Sequence, residues 1–369
     1  MEIKQIGEVF LQQIAFKQIV NTNSQTLFMN KYLLFNCLLL LNGALMSQTS
    51  GKTNFKVMCY NVENYFDTED DSLKKDEEYL PTGMRAWNYK KYQKKQANIA
   101  KVITAIGGWD APALVGLCEV ESKKGLVDLT QHSGLKNLKY KFIHHESPDA
   151  RGVDVALLYQ PNQFKPIHNK AIKISFPGLP NNTTRDVLYV CGKTPTADSL
   201  HVFVCHFPSR LGGELESEAR RCFVASVIRT KVDSIFAQNK NANIMIMGDF
   251  NDFPTNKSIH EVLNAKKTEG KIENGTLYNP LFNLHGSGKG TNKHNGEWGV
   301  LDQIIVSGSL LNPLNKINGK SSDAHIFDAD FLLEPDEQSF GKQPFRTYVG
   351  MKYHDGFSDH LPVYFDLWY

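Results

Sequence analysis

The sequence predicts a layered α/β fold. Short apolar runs typical of β-strands alternate with helix-like stretches from residue 52 to the end of the chain, and polar or ionisable residues stand where many of these runs end. No linker rich in Pro and Ser, no internal repeat and no low-complexity tract interrupts residues 52–369, which predicts one large domain over this range.

The strand-like runs are rich in β-branched and aromatic residues and are bounded by Gly, Pro, Asn or Asp. In chain order they cover residues 55–62, 112–121, 153–160, 186–194, 200–209, 243–252, 301–308 and 361–367, with a hairpin predicted between the fourth and the fifth run. The segment "TLYNPLFNL" (276–284) fits either a further strand or an apolar insertion.

Two stretches of the sequence predict α-helices. Residues 89–108 carry Ile99, Val102, Ile103 and Ile106 at helical spacing and end in two glycines, which is typical of a helix C-terminus. Residues 214–239 predict a longer helix, with Leu215, Ala219, Cys222, Phe223, Ser226 and Val227 on one side. The polar loop is residues 67–84.

Composition excludes the disordered and fibrous classes. Of the 369 residues 41% are hydrophobic and 22% are charged, so the chain can bury a large core. The formal net charge is +2 at pH 7, so no global basic field marks a nucleic-acid binder and any contact with a polyanion has to be local.

The N-terminal region predicts export. Residues 29–47 join a positive head, an apolar run and a small or polar end, which is the order of a secretory signal peptide, so Met29 is interpreted as the start and residues 1–28 as an upstream extension. The protein is therefore expected to be periplasmic or secreted. The alternative is a retained single-span anchor. Asn36 before Cys37 argues against lipidation, and the odd number of later cysteines does not predict a full disulfide framework.

The polar residues at the ends of the strands indicate a functional site. Taken singly, each has an ordinary structural interpretation as a turn former, a helix cap or a satisfied core histidine. Taken together they would cluster at one edge of the sheets, and they supply oxygen ligands for a hard divalent ion and groups able to act on a phosphate ester. The residues are Asn61, Glu119, His206, Asp249, Asn251, Asp302, Asp359 and His360. Zinc-type Cys and His spacing is absent.

Six motifs in this order carry a family resemblance. They are "CYNVENYFD" (59–67), "VGLCEVE" (115–121), "CHFPSR" (205–210), "IMGDFND" (246–252), "LDQIIVS" (301–307) and "FSDHLPV" (357–363). The chain thereby resembles the endonuclease/exonuclease/phosphatase superfamily over residues 55–367. The resemblance implies a four-layer sandwich of two packed mixed β-sheets flanked by helices.

The resemblance also implies the metal and the base. Glu119 would bind Mg²⁺ or Mn²⁺, with Asn61 near the ion and Asp359 helping to hold metal or water; Ca²⁺ is a further candidate. Asp249 would orient and deprotonate the attacking water, and Asn251 would hold Asp249 in place.

The same resemblance assigns the phosphate-facing groups. His360, oriented by Asp302, would stabilise charge on the scissile phosphate, and His206 would be a second histidine facing it. A pairing of Asp154 with His206 is a hypothesis, with an ordinary loop charge as the alternative. Arg185, Arg210 and Arg151 would bind the substrate, with Arg220 nearby, and the alternative is that they are surface arginines.

The closest likeness within the superfamily is to secreted bacterial nucleases, so we expect a monomeric endonuclease that cleaves DNA or RNA and has no stable membrane partner. One alternative is a phosphatase or phospholipase C-like enzyme acting on inositol phosphates or sphingomyelin, which calls for an exposed apolar hairpin. The other is a binding module that has lost its chemistry, against which all the expected acids and histidines are present.

Overall fold

The computed structural model describes residues 52–179 and 182–369, and its main unit runs from Thr53 to Tyr369. The predicted extension (1–28) and signal segment (29–47) lie outside the described residues. Among the described residues, no helix is both long and apolar enough to cross a membrane.

The α-helices of this part of the chain are α1 (Tyr89–Gly107), α2 (Lys123–Gln131) and α3 (Glu214–Gln238). The strands are β1 (Asn54–Tyr65), β2 (Leu114–Val120), β3 (Lys141–His144), β4 (Asp154–Tyr159), β5 (Lys165–Ile172), β6 (Val187–Lys193), β7 (Ser199–His206), β8 (Asn243–Asp249), β9 (Ala265–Lys266), β10 (Leu277–Tyr278), β11 (Asn292–His294), β12 (Glu297–Gly299), β13 (Asp302–Ser307), β14 (Ala324–Ile326), β15 (Leu333–Pro335), β16 (Lys342–Pro344), β17 (Tyr348–Val349), β18 (Lys352–Tyr353) and β19 (Val363–Trp368).

The strands form two large mixed sheets and three small hairpins. The six-stranded sheet has the order β14-β19-β1-β2-β4-β3, and the seven-stranded sheet has the order β5-β6-β7-β8-β13-β10-β9. Each large sheet is mainly antiparallel and contains a central parallel pair, β1 with β2 and β7 with β8. The hairpins are β11-β12, β15-β16 and β17-β18.

Alternation along the central strands builds the layers. Val57 and Cys59 of β1 belong to the core between the two sheets, whereas Met58 and Tyr60 belong to the core shared with α1 and α2. In the other sheet, Val202 of β7 and Met245 of β8 belong to the central core, whereas Phe203 of β7 and Ile244 of β8 belong to the core under α3. The order is helices, sheet, sheet, helix, and the predicted fold class is confirmed.

The two predicted helices differ in how well their buried sides were predicted. In α1 the four isoleucine and valine positions are buried, and Gly108 ends the helix with a φ of 63°, a conformation that favours glycine. In α3 the side named from the sequence is only partly directed at the core: Leu215 is 80% exposed, whereas Phe223 and Val227 are half-buried and pack against the core under the helix. The buried side instead comprises Ser217, Arg221, Val224, Ala225, Ile228, Val232, Ile235 and Phe236.

A buried ion pair explains the error in α3. The Arg221 guanidinium lies 2.7 Å from the Asp252 carboxylate, and both side chains are almost fully buried. Because Ser217 and Arg221 occupy the inward side of the first turns, apolar spacing does not mark that side there, although Val224, Ile228 and Val232 mark it further along the helix.

Polar or very short strands escape prediction. The edge strand β5, "KPIHNKAI", lacks apolar alternation and is recognised only by its pairing with β6. The ambiguous segment 276–284 contains the two-residue strand β10 and then a 3₁₀ turn over Phe282–Leu284.

Gly248 allows the parallel pair β7-β8 to approach closely at the end that carries the polar residues. A Cβ built at this position would lie 1.8 Å from the carbonyl oxygen of Cys205, which is backbone and cannot move aside. The register places Cys205 opposite Gly248 and His206 opposite Asp249. A side chain at 248 would therefore disturb the alignment of the next residue pair.

We expect Gly248→Ala to destabilise the protein by roughly 1–3 kcal/mol, because it overpacks a rigid backbone contact. Urea unfolding followed by circular dichroism measures the loss. Gly134→Ala is the matched control, since its Cβ would meet only the Ala100 side chain at 3.8 Å. Equal unfolding midpoints for the two variants would contradict the close-approach account.

Candidate active site

The polar strand ends of the seven-stranded sheet meet through strand register. Asp249 ends β8 and pairs with His206 at the end of β7 on one side and with Asp302 at the start of β13 on the other. Three of the predicted site residues are therefore neighbours in one row of the sheet, and all three are buried.

The six-stranded sheet contributes Asn61 from β1 and Glu119 from β2. The pairing of β2 is irregular between Cys118 and Val120, and Glu119 has a φ of 65°, which is strained for a residue other than glycine. The backbone N–H of Asn64 donates to Glu119 Oε2 over 2.9 Å and fixes the carboxylate. The bulge and this bond together determine where Glu119 points.

Asn61 joins the two sheets at the site. Its Nδ2 donates to Asp249 Oδ2 at 3.1 Å and lies 3.5 Å from Glu119 Oε1, while its Oδ1 accepts from the backbone N–H of Glu63. The side-chain nitrogen thus faces the carboxylates and the oxygen faces the backbone. Asn61 therefore lies between Glu119 and Asp249 and holds the two carboxylates near each other.

Asp249 receives hydrogen bonds on both carboxylate oxygens. The backbone N–H of Asn251 donates to Oδ1 at 2.8 Å, and the Asn251 side-chain Nδ2 lies 3.3 Å from Oδ2 and 3.0 Å from the Phe207 carbonyl. Asn251 has a φ of 48°, so this turn is strained. Burial raises the pKa of Asp249 to about 7, and the negative charge of Asp302 adds to the rise.

His360 is held as a cation by its carboxylate neighbours. Its Nδ1 lies 2.6 Å from Asp302 Oδ2, and its backbone N–H donates to Ser358 Oγ. Burial is the largest single influence and opposes protonation, but Asp302, Asp249 and Asp359 together raise the pKa of His360 well above its ordinary value. The free Nε2 lies 3.9 Å from Asp249 Oδ2.

His206 is held neutral. Burial first, and then the positive charges of Arg185 and Arg151, lower the pKa of this histidine well below its ordinary value. Its Nε2 lies 3.5 Å from Asp249 Oδ2 and 3.9 Å from Glu119 Oε1. Its Nδ1 is buried and has no hydrogen-bond partner among the residues that the structure describes. The two site histidines therefore carry different charges.

The hypothesis that Asp154 pairs with His206 is wrong. Asp154 Oδ2 lies 3.2 Å from His144 Nε2, and Asp154 Oδ1 accepts from the backbone N–H of Ser147 at 3.0 Å. These contacts follow from the antiparallel pairing of β3 and β4, which brings the chain after β3 back onto the start of β4.

Arg185 and Arg151 line a cleft that also contains the site residues. Arg185 is buried, and it donates from Nη1 to Asp149 Oδ2 at 3.2 Å and from Nη2 to the Phe207 carbonyl at 2.6 Å. Its Nε has no partner within residues 52–179 and 182–369. Arg151 is more exposed, and Arg220 lines the same cleft.

Arg210 also lines the cleft, but protein groups take up most of its donors. Nε donates to the Asn251 carbonyl at 2.7 Å, Nη2 donates to Asn256 Oδ1 at 3.0 Å, and Nη1 lies 3.0 Å from Glu214 Oε2. The guanidinium also covers the ring of Phe253 at 4.2 Å. Its contacts hold the loop that contains Asn251.

Asp359 has a partner that sequence reasoning missed. Arg346 Nη2 donates to Asp359 Oδ2 at 2.9 Å, and Arg346 Nε lies 3.6 Å from Glu63 Oε1. Glu63 could have been suspected from its place in "NVEN", two residues after Asn61. Arg346 carries no such signal, because its segment lacks a recognisable motif.

The cleft has a volume of about 1220 Å³. Glu119, His206, Asp249 and His360 lie in it, residues 182–185 and 208–212 line it, and so do Asn292 and Trp298 of the β11-β12 hairpin. Because it is much larger than a phosphate group, it can hold the groups on both sides of an ester.

The donor set fits a hard divalent cation. One oxygen or nitrogen from each of Asp249, Asp302 and His360 lies within 4.8 Å of the others. Asp302 and His360 contact each other, which leaves Asp249 and Glu119 facing the cleft. Among the described residues, neither of these two carboxylates pairs with a lysine or an arginine. Glu119 and Asp249 supply carboxylate oxygens, the ligand type suited to Mg²⁺ or a similar ion.

Comparison with known families gives one match. Residues 56–368 match the model of the Endonuclease/Exonuclease/phosphatase family. No curated protein matches the chain in sequence.

Solved structures with the same fold are distant in sequence. An endonuclease/exonuclease/phosphatase family protein from Bacteroides thetaiotaomicron is 15% identical with a TM-score of 0.52, over 86% of this chain and 98% of that one. The human Nocturnin catalytic domain is 16% identical with a TM-score of 0.51, over 86% and 98%. A mannosyl-6-phosphatase from B. thetaiotaomicron is 15% identical with a TM-score of 0.53, over 85% and 99%.

The charge of His360 can be tested without any substrate. In the metal-free protein we expect the His360 imidazole to titrate above its ordinary value in NMR, and Asp302→Asn to lower that pKa because it removes the nearest negative charge. Asp366→Asn, which removes a carboxylate paired with Lys56, is the control and should leave the titration unchanged. An unshifted His360 titration in Asp302→Asn would contradict the assignment.

Proposed function

The chain belongs to the endonuclease/exonuclease/phosphatase family, and we propose that it is a metal-dependent phosphodiester hydrolase whose substrate is DNA or RNA. Enzymes of this family are hydrolases that act on phosphate esters. The observation that carries the proposal is the meeting of Glu119, Asp249 and His360 in one cleft, with the Asp302 carboxylate behind His360.

Asp249 is the general base of this proposal. Asn61 and Asn251 donate to its oxygens and fix their direction, and its pKa of about 7 suits the removal of a proton from water near neutral pH. The water that it activates would attack the phosphorus in line with the leaving oxygen.

His360 supplies a positive hydrogen-bond donor. Asp302 fixes the ring through Nδ1, so Nε2 is left to donate to a phosphate oxygen as negative charge develops there. His206 is neutral and offers a second ring contact in the same cleft, with its Nδ1 unpartnered among the described residues.

Glu119 is the proposed metal ligand, with Asp249 beside it. An ion bound there would neutralise charge on the phosphate oxygens and would favour the attacking water. Mg²⁺ or Mn²⁺ fits a site with few protein ligands and room for water. Ca²⁺ is an alternative, because it accepts a less regular coordination geometry. The bond from Asn64 N–H to Glu119 holds the carboxylate ready for the ion.

The cleft favours a nucleic-acid strand as the substrate. Arg151, Arg185 and Arg220 line the cleft and supply local guanidinium groups beside its acidic residues Glu214 and Glu297, although the whole chain carries only +2. Trp298 lies in the same cleft and offers a surface for stacking a base. A volume of about 1220 Å³ accommodates nucleotides on each side of the cleaved bond.

One observation favours a second candidate, a phosphodiesterase or phosphatase acting on a lipid or a small phosphate ester. Phe340 is fully exposed next to β16, and its hairpin is tied to the β11-β12 hairpin by an ion pair of 2.7 Å between Lys293 and Asp336. An exposed aromatic tip near the cleft is the feature expected of a membrane-facing enzyme. Glu334, Asp336 and Glu337 in the same hairpin would be repelled by anionic lipid, so a zwitterionic lipid such as sphingomyelin fits better.

We further propose that the enzyme is exported and acts as a monomer. The apolar segment 29–47 supports export, and the described cysteines are free thiols, so no disulfide is needed to hold the fold.

Removal of the base or the cationic donor tests the mechanism. Asp249→Asn and His360→Ala are each expected to lower turnover by ~10²–10⁴-fold, because proton transfer and electrostatic stabilisation each contribute on that scale. Asp233→Asn on the exposed side of α3 is the matched control and should keep wild-type turnover. Wild-type rates in either site variant on every substrate would refute its assigned role.

Metal removal and a substrate panel test the class of reaction. With EDTA, cleavage of plasmid DNA and of RNA should stop, and added Mg²⁺ or Mn²⁺ should restore it. Without the divalent ion, nothing at the carboxylates offsets the negative charge of the phosphate. Activity that survives chelation would rule out the metal mechanism. If sphingomyelin or inositol phosphates are hydrolysed and nucleic acids are not, the second candidate replaces the first.

A further inference from the structure

Three carboxylates are buried outside the cleft, two in the polar loop (67–84) and one directly after β2. Asp67 is 7% exposed, Asp76 is 1% exposed, and Glu121, two residues after Glu119, is 8% exposed. All three lie apart from the residues that line the cleft. A carboxylate removed from water has to be hydrogen-bonded, protonated or paired with a cation. The surroundings of these acids therefore indicate what each of them binds.

Hydrogen bonds orient two of these carboxylates and leave one oxygen without a donor. Glu121 Oε2 accepts from the backbone N–H of Asp67 at 2.6 Å, and Asp76 Oδ2 accepts from the backbone N–H of Asp71 at 3.1 Å. Asp76 Oδ1 is buried and has no hydrogen-bond partner among the residues that the structure describes. The Asp76 carboxylate lies within hydrogen-bonding reach of the Glu121 carboxylate. The unpartnered oxygen thus belongs to a pair of adjacent acids.

Asp67 adds a third negative charge beside this pair. Its Oδ1 accepts from the backbone N–H of Glu69 at 2.8 Å, and its Oδ2 lies 3.1 Å from the Ser122 hydroxyl, which donates to it. Both of these donors are neutral, so they satisfy the oxygens of Asp67 and leave its charge in place. Asp76 and Glu121 are the two acids with oxygens left for a ligand.

No fixed cation offsets these charges within residues 52–179 and 182–369, where none of the three acids forms an ion pair with a lysine or an arginine. The charge of Lys124 reaches Asp67, but this side chain is 44% exposed and its Nζ lies 3.8 Å from Glu69 Oε1 and 3.4 Å from Asp128 Oδ2. Lys124 is therefore directed at solvent and at other acids, and the negative charge of the buried group is not balanced by the protein.

A proton and a divalent cation are the two ways to relieve this charge. A proton shared by Asp76 and Glu121 would remove one of three buried negative charges, whereas a divalent cation would offset two. Buried carboxylates without a basic partner are characteristic of cation sites. A cation would also give the unpartnered oxygen of Asp76 a ligand bond in place of the missing hydrogen bond.

The donor set favours Ca²⁺ among divalent cations. The available ligands are oxygens, without the cysteine or histidine that a zinc site uses. Mg²⁺ keeps several of its waters, for which a site buried to this degree has little room, whereas Ca²⁺ accepts carboxylate and backbone carbonyl oxygens in irregular geometry. Ca²⁺ is consequently the ion that fits two buried carboxylates in a loop.

We propose that Asp76 and Glu121 bind one structural Ca²⁺, which links the polar loop to the end of β2. The site is separate from the cleft, and the inference goes beyond the proposed hydrolase without depending on it. Asp67 contributes its charge to the site, and the backbone N–H groups of Asp67 and Asp71 hold the two ligands in place.

The ion would stabilise a neighbouring loop as well. Lys74 Nζ donates to the carbonyl oxygens of Ser147 at 2.6 Å and Asp149 at 3.1 Å, and the backbone N–H of Lys75 donates to the Ala150 carbonyl at 2.8 Å. These two lysines directly precede Asp76 in the chain. The Ca²⁺ site is therefore next to the contacts that fasten the segment between β3 and β4.

The test is to count Ca²⁺ per full-length chain by equilibrium dialysis with radioactive Ca²⁺ and excess Mg²⁺, in the Glu119→Gln variant. This substitution removes the proposed metal ligand of the cleft, so an ion that still binds is held elsewhere. We expect one Ca²⁺ per chain. We also expect the melting temperature to rise by roughly 5 °C when free Ca²⁺ exceeds its Kd about a hundredfold.

Two further substitutions, each added to Glu119→Gln, locate the ion. Glu121→Gln and Asp76→Asn should each abolish Ca²⁺ binding and the rise in melting temperature. Both remove a charge and keep the shape of the side chain, and Glu121→Gln resembles the protonated acid, so these proteins should fold without Ca²⁺. Asp70→Asn is the matched control, because Asp70 is an exposed acid of the same loop, and it should leave one Ca²⁺ bound.

The results decide between the cation and the proton. No Ca²⁺ on the folded Glu119→Gln protein would overturn the proposal in favour of a shared proton. Ca²⁺ bound with unchanged affinity after Glu121→Gln or Asp76→Asn would place the ion elsewhere and would overturn it too. Circular dichroism verifies that each variant is folded. Neither result affects the proposed hydrolase, which is tested by cleavage in Mg²⁺ with Glu119 intact.

Discussion

The buried carboxylate of Asp249 is the constraint on which the site depends. A carboxylate removed from water has to be hydrogen-bonded or neutralised, and this one is satisfied from both sheets. Asn61 reaches it from the six-stranded sheet, while Asn251 and the histidines reach it from the seven-stranded sheet and the last loop. The geometry of the site consequently depends on how the two sheets pack. The close approach of β7 and β8 at Gly248 helps to set that geometry.

Environment gives similar side chains different roles. His206 and His360 both lie near Asp249, yet burial and then the charges of Arg185 and Arg151 lower the pKa of the first, whereas Asp302, Asp249 and Asp359 outweigh burial and raise the pKa of the second. Arg210 lines the same cleft as Arg185, but it is occupied with holding the Asn251 loop. The charge of a neighbour decides what each side chain can do.

Much of the fold and the candidate site could be predicted because both leave a local signal. Strand alternation and the polar residue that ends a strand lie within a few positions of each other, which is how Glu119 and Asp249 were found. Contacts between segments far apart in the chain leave no local signal, as in the contact of Arg346 with Glu63. The contact of Asp154 with His144 is close in sequence but depends on how β3 and β4 pair. In the first turns of α3 the buried Arg221 obscures the inward side, because a charged residue is not expected there.

The most direct test of the account is a crystal structure with Mn²⁺ and a short phosphorothioate oligonucleotide, with the metal located by anomalous diffraction. The account predicts Mn²⁺ bound to Glu119, beside Asp249, and a phosphate within hydrogen-bond distance of His360 Nε2 and His206. Mn²⁺ bound away from these carboxylates, or an oligonucleotide lying outside the cleft, would contradict it.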